Sequence, residues 1–257
     1  MIWPFCLFFK RSAVSAIVEK VAKETTSIVN HMASTGAVKA SSSIVRANGN
    51  NLAWCPFTTQ GFPLAKTRGF YSHGYPQGAV VHFTAGQPSQ KIDDAVEYQV
   101  ERGYSYFVIA ANGEISQNFP LTHWGYHAGG KSAWKGIGKG VSNELVGIEI
   151  INAGKLSSGG VPWFGSKPYA KRLVRTVKSV ANVEGGTYHK YTKAQEESLV
   201  RLLKWLHENN PSVFKYDYVL GHDEVSGKRG IGYQRKNDPG GALSVTMDEL
   251  RTSLKNA

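Results

Sequence analysis

The stretch GHDEVSGKRGIGYQRKNDPGG, Gly221 to Gly241, sets the terms on which the rest of the chain is read. It follows an apolar run, Tyr216–Leu220, that reads as a strand, so His222 falls where that strand would end. Asp238 comes sixteen residues later, inside Lys236-Asn237-Asp238-Pro239-Gly240. A loop rooted on a strand holds side chains in place while leaving them open to a ligand. A neutral imidazole and a carboxylate suit zinc, and catalytic zinc sites usually take three protein ligands and keep one position for water. The rest of the chain must then supply a third ligand and an acid/base group.

Working outward, Gly78–Phe83 (GAVVHF) is a short β-type run with His82 near its end. A histidine in an apolar strand is commonly a hydrogen-bonded core residue, and its place as a ligand depends on company. Ile92–Arg102 follows helical spacing through Ile92, Ala95, Val96 and Val100. Tyr104–Ala110 and Glu114–Asn118 flank Ala111-Asn112-Gly113, the signature of two strands joined by an Asn-Gly turn. Leu145–Ile151 is another apolar strand, broken by Glu149. Alternation sets Glu149 on the face opposite Ile148 and Ile150, where it is either solvated or held in apolar surroundings. In the second case its pKa rises and it makes a good general base. Strand, helix and hairpin in this order predict an α/β domain with a mixed central β-sheet flanked by helices.

Between these elements lies His123-Trp124-Gly125-Tyr126-His127-Ala128-Gly129, then a glycine-rich run around Trp134. Such loops line grooves for extended polar ligands, or their tryptophans cap the core; both readings stay open. Pro168–Asn182 reads as a helix, with Pro in its first turn and Leu173, Val174, Val177 and Val180 as its stripe. Lys171, Arg175 and Lys178 recur on another face, a solvated surface or a binding face for an anionic polymer. Thr192-Lys193-Ala194-Gln195 has the form of a capping box opening a helix to about Asn209, and Thr246 to Glu249 repeats it for a last helix toward Lys255.

The chain has 257 residues, enough for one well-buried core plus an appendage. Thirty Lys+Arg against nineteen Asp+Glu give a net charge of +11, which favours a polyanionic partner: nucleic acid, an anionic membrane surface or an acidic wall polymer. Two cysteines, Cys6 and Cys55, offer no disulfide framework and fit synthesis in a reducing compartment. The apolar opening MIWPFCLFF is too short to span a bilayer, and Lys10 and Arg11 follow it, the reverse of a secretory signal. Residues 13–31 carry a helical apolar stripe, and Ser34–Asn51 is a Ser/Gly-rich linker, so residues 1–50 are expected as a helical extension to a domain over 51–257. That helix either docks on the core or meets a membrane or wall surface. Asn51–Tyr75 reads as an irregular arm.

VVHFTAG, the YHAG–S–W–G segment, VGIEI, YTKAQ, VLGH and KNDPG, in that order, resemble the type-2 N-acetylmuramoyl-L-alanine amidases. These are zinc enzymes of bacteria and bacteriophages related to the peptidoglycan recognition proteins. The resemblance covers about Gly78 to Leu243. It implies zinc on His82, His222 and Asp238, with Glu149 as the acid/base group and Lys236 as the oxyanion stabiliser. It puts His127 near the substrate, and Trp134 is expected beside it. The expected substrate is peptidoglycan, cut between N-acetylmuramic acid and L-alanine, and the expected setting is a bacteriophage endolysin or a bacterial enzyme acting on wall fragments. Tyr106 stands where many relatives have histidine and Ser105 where some have a catalytic tyrosine, as expected of the branch that uses a glutamate instead. The insert GKRGIGYQ, with Lys228, Arg229 and Arg235 in or beside it, lengthens the link from His222 to Asp238.

Three rivals fare worse. A binding module that had lost catalysis would lack a ligand or the acid, and all five groups are present. A nucleic-acid binder would interleave basic and aromatic residues on one element, and here they are scattered. A metallopeptidase of the HExxH type lacks its motif.

Overall fold

A computed structural model of the chain describes residues 52–60, 67–104, 106–226 and 236–257, with the side chain of Tyr106 outside that set. The elements that build the site belong to the compact unit Asn51–Arg251, whose last helix runs on to Lys255. The expected N-terminal helix and linker, Ser105 and the insert with Lys228, Arg229 and Arg235 lie outside the described residues.

The centre is a five-stranded sheet built from β1 (Gly78–Phe83), β2 (Tyr106–Ile109), β3 (Ile115–Gln117), β4 (Leu145–Ile150) and, much later in the chain, β7 (Val219–Gly221). The order across the sheet is β7-β1-β4-β2-β3, parallel except for the β2–β3 hairpin at one edge. The mixed sheet expected from the sequence is therefore present. Gly113, at φ +87°, makes the hairpin turn that Asn112-Gly113 announces. A parallel sheet is covered on both faces, which is why β1 and β4 read as nearly continuous apolar runs.

Helix α1 (Ile92–Arg102) packs Ala95, Val96 and Val100 against Val108, Ala110 and Ile151. Helix α2 (Lys193–Asn209) starts with the expected capping box: the Gln195 amide donates to the Thr192 hydroxyl at 3.1 Å and the Thr192 amide to the Gln195 side chain at 3.0 Å. Its Leu199, Leu202, Leu203 and Leu206 are fully buried, each stabilising the fold by about 1.5–3 kcal/mol relative to exposure. Thr246 and Glu249 close a second box at the start of α4 (Met247–Lys255).

Pro168–Asn182 corrects the sequence reading. It is not a helix: after a 3₁₀ turn at Lys171–Leu173 come β5 (Val174–Val177) and its antiparallel partner β6 (Gly186–His189). The valines that mimic a helical stripe are β-branched and stiff at χ1, and they fit a pleated surface better than a helix. Thr176 and Thr187, directly opposed, pair their hydroxyls at 3.0 Å. The hairpin props the segment after Asp238. A Cβ on Gly241 would stand 2.7 Å from the ring of buried Tyr188 and 2.8 Å from Val177, and the Arg175 guanidinium donates to the Gly241 and Leu243 carbonyls. Gly241→Ala is expected to destabilise the protein by about 1–3 kcal/mol through this overpacking, seen as a lowered Tm; an unchanged Tm would mean the hairpin yields freely.

The expected strand at Tyr216–Leu220 is shifted. Tyr216–Tyr218 form a 3₁₀ turn, only Val219–Gly221 pair with β1, and His222 opens the short helix α3 (His222–Ser226) instead of a loop.

Candidate active site

Strand register assembles the site. His82 of β1 lies directly beside Glu149 of β4, and Val81 beside Gly221 of β7, so His222 enters next to His82. All three stand at the carboxyl ends of neighbouring parallel strands, the edge at which open α/β sheets place their ligands. Glu149 projects to the face opposite buried Ile148 and Ile150, as alternation requires. Asp238 joins them from the segment propped by the β5–β6 hairpin, and its backbone carbonyl accepts the Asp223 amide at 2.8 Å.

Three buried donor atoms meet. His82 Nδ1 is 2.9 Å from His222 Nδ1 and 3.1 Å from Asp238 Oδ2, and His222 Nδ1 is 2.9 Å from the same oxygen. They form a cluster of metal-ligand type, His82, His222 and Asp238, among the described residues. Burial and the neighbouring His222 lower the His82 pKa to about 4. Burial pushes Asp238 up, but His222 and His82 outweigh it and hold the carboxyl well below its usual range. At neutral pH His82 is thus neutral and Asp238 ionised. On the far side of its ring His222 Nε2 donates to the Ala128 carbonyl at 3.2 Å, so Nδ1 is the nitrogen turned to the cluster. Two imidazole nitrogens and one carboxylate oxygen are a donor set that suits zinc in a site open to a fourth ligand.

Glu149 faces this cluster with Oε2 shut off from solvent and without a hydrogen-bond partner among the described residues. Burial, then the charge of Asp238, pushes its pKa well above the usual range, while Lys236 pulls it down. Lys236 is exposed at the rim of the same cleft, a cavity of about 550 Å³ that the three ligands, Glu149 and His127 also line. The five residues expected to carry the chemistry therefore come together.

Of the other two expected residues, one lines the cleft and one does not. The His127 ring lines the cleft but is 8% exposed, with both ring nitrogens turned to protein atoms. Trp134 is not among the residues that line the cleft; it packs on the cluster of Val80, Val141, Leu145 and Leu220. Of the two readings left open for this tryptophan, the structure shows the core-capping one. Sequence reasoning missed Tyr98 and Gln99 on α1 and the neighbouring Tyr104, which form one wall. The sequence signal for Gln99 was its place beside Val96 and Val100 on the apolar stripe; in the structure it is 4% exposed, with Oε1 unpartnered among the described residues. Tyr126, which also lines the cleft, carries the Arg68 guanidinium over its ring at 5.0 Å.

Comparisons with solved structures found similarity to a selenomethionine derivative of AmpD (18% identity, TM-score 0.47, covering 79% of this chain and 97% of that one). They also found the N-acetylmuramyl-L-alanine amidase AmiD from E. coli in complex with anhydro-N-acetylmuramic acid-L-Ala-D-γ-Glu-L-Lys (22%, TM-score 0.47, covering 72% and 61%). A third is the endolysin amidase LysCS from Clostridium intestinale (16%, TM-score 0.46, covering 79% and 98%). A comparison with curated proteins found no match. The family model for N-acetylmuramoyl-L-alanine amidase matches residues 72–241, about two thirds of the chain and every residue of the cluster just described. The chain belongs to the N-acetylmuramoyl-L-alanine amidase family.

Proposed function

We propose that the chain is a zinc-dependent enzyme that hydrolyses the amide between N-acetylmuramic acid and L-alanine in peptidoglycan. The observation that carries this reading is the buried triangle of His82, His222 and Asp238 with the unpartnered Glu149 oxygen beside it. Those three residues would hold a zinc ion, which would supply a Lewis acid for the amide carbonyl and lower the pKa of a water toward neutrality. Glu149 takes a proton from the attacking water and delivers it to the leaving alanine nitrogen, a transfer its raised pKa favours. Lys236, at the rim, faces the negative charge that grows on the carbonyl oxygen. Being exposed, it contributes less than a buried donor: Lys236→Ala is expected to lower kcat by about 10²-fold, the modest end for loss of an oxyanion donor, with KM little changed. Equal kcat in the variant would remove it from this role.

The reading extends to place of action. A net charge of +11 supports attraction to the anionic polymers and membranes of a bacterial envelope, and an endolysin-like role in lysing the wall is the setting we favour. Induced expression that leaves the bacterium intact after its membrane is permeabilised would count against it.

Digestion of purified sacculi tests the chemistry. New alanine amino termini without new reducing sugar ends are expected. Reducing ends alone would make the chain a glycosidase, and binding without release would make it a recognition module.

A further inference from the structure

The geometry points to His127 as a positioning residue: through it the Leu145 carbonyl sets the tautomer of His82 and aims the His82 lone pair into the ligand triangle. This rests on the zinc reading above.

The protons can be placed one by one along a chain of contacts. His127 Nε2 is 2.8 Å from the Leu145 carbonyl oxygen. A carbonyl only accepts, so that nitrogen carries the proton, and the lone pair of the neutral His127 ring sits on Nδ1. Nδ1 in turn is 3.1 Å from His82 Nε2. With an acceptor on the His127 side, His82 must donate, so its own proton is on Nε2 and its Nδ1 is a bare lone pair. That atom is the one that faces His222 Nδ1 and Asp238 Oδ2. A His82 protonated on Nδ1 would instead donate into the triangle and leave no room for a cation.

The two histidine ligands are oriented by consecutive residues. His222 reaches a carbonyl directly, at Ala128, whereas His82 reaches one through the ring of His127. The Ser142 hydroxyl accepts both backbone amides of this dipeptide, from His127 at 3.1 Å and from Ala128 at 3.0 Å. One clamped dipeptide therefore fixes the tautomer of both rings. Outer partners of this kind fix the orientation and basicity of metal-ligating histidines. The role differs from that of a substrate contact: His127 would act on metal affinity rather than on KM.

The test uses the full chain in three forms: wild type, His127→Ala and His127→Gln, the last offering a side-chain oxygen in place of Nδ1. Zinc affinity is read by competition with a chromophoric chelator, and the His82 tautomer by long-range ¹⁵N–¹H correlation on metal-free protein. The wild type is expected to show His82 protonated on Nε2. His127→Ala should weaken zinc binding by about 10–100-fold, with His127→Gln recovering part of the loss. At saturating zinc, KM for a muropeptide should be unchanged in both. A wild-type His82 protonated on Nδ1 overturns the proposal, and that readout does not depend on either variant folding. Unchanged zinc affinity in a folded His127→Ala, or a raised KM at saturating zinc, overturns it too. Wild type that binds no zinc sinks the zinc reading instead, while the tautomer still decides the relay.

Discussion

Glu149→Gln should reduce amide hydrolysis by about 10²–10⁴-fold, the usual worth of a positioned acid/base group, and at the same time make the metal-free protein more stable near neutral pH. Both effects have one cause. Glu149 sits beside His82 in the sheet with an oxygen sealed from water and unpartnered among the described residues, and burial raises its pKa well above the usual range. The folded state therefore binds its proton more tightly than the unfolded chain does. Below the ordinary glutamate pKa of about 4.3 both states are protonated and nothing is lost. As the pH rises toward the folded-state value, ionising the buried group costs stability. Glutamine keeps the shape and removes that cost, so its advantage should appear at neutral pH and vanish in acid. Each kcal/mol gained corresponds to about 2–4 °C in Tm for a chain of this size. Thermal unfolding of both proteins across pH checks the claim. A variant less stable than wild type at neutral pH would show that Glu149 is solvated or paired, and would weaken its assignment as base.

Asp238→Asn should lose activity below detection and zinc affinity by more than the about 10–100-fold typical of outer partners. The substitution removes the anionic member of the triangle and leaves two imidazoles to hold a dication. Its linkage has the opposite sign to that of Glu149. His222 and His82 hold the Asp238 carboxyl well below its usual range despite its burial. The stability it gives the metal-free fold is present above the unfolded-state value of about 3.9 and is lost as the pH falls toward the folded-state one. The Tm deficit of Asp238→Asn should then be largest near neutrality and shrink in acid. A deficit that grew on acidification would contradict the assignment of charge.

Much of the site is legible in the sequence. The β-type runs of β1 and β4 each carry one polar residue near the carboxyl end, and those two residues, His82 and Glu149, turned out to be register partners. The capping box at Thr192 and the Asn112-Gly113 turn are legible in the sequence because each is a local interaction between near neighbours. What failed was tertiary. The valines of β5 recur at helical spacing, and it is the antiparallel pairing with Gly186–His189, invisible in that spacing, that makes the segment a strand. The strand before His222 shortened because Tyr216–Tyr218 took a 3₁₀ turn. Whether Trp134 faces the cleft or the core depends on which way its ring turns, and spacing carries no record of that. Nor could spacing reveal that β7, so late in the chain, lies against β1.

The most direct measurement is metal content set beside product release. Protein purified with zinc should carry about one ion per chain, the number a single three-ligand site holds. Stripped by chelator, it should cease to release alanine amino termini from sacculi, and one equivalent of zinc should restore release in the wild type but not in Asp238→Asn. Full release by the stripped protein, or zinc retained undiminished by Asp238→Asn, would contradict the account.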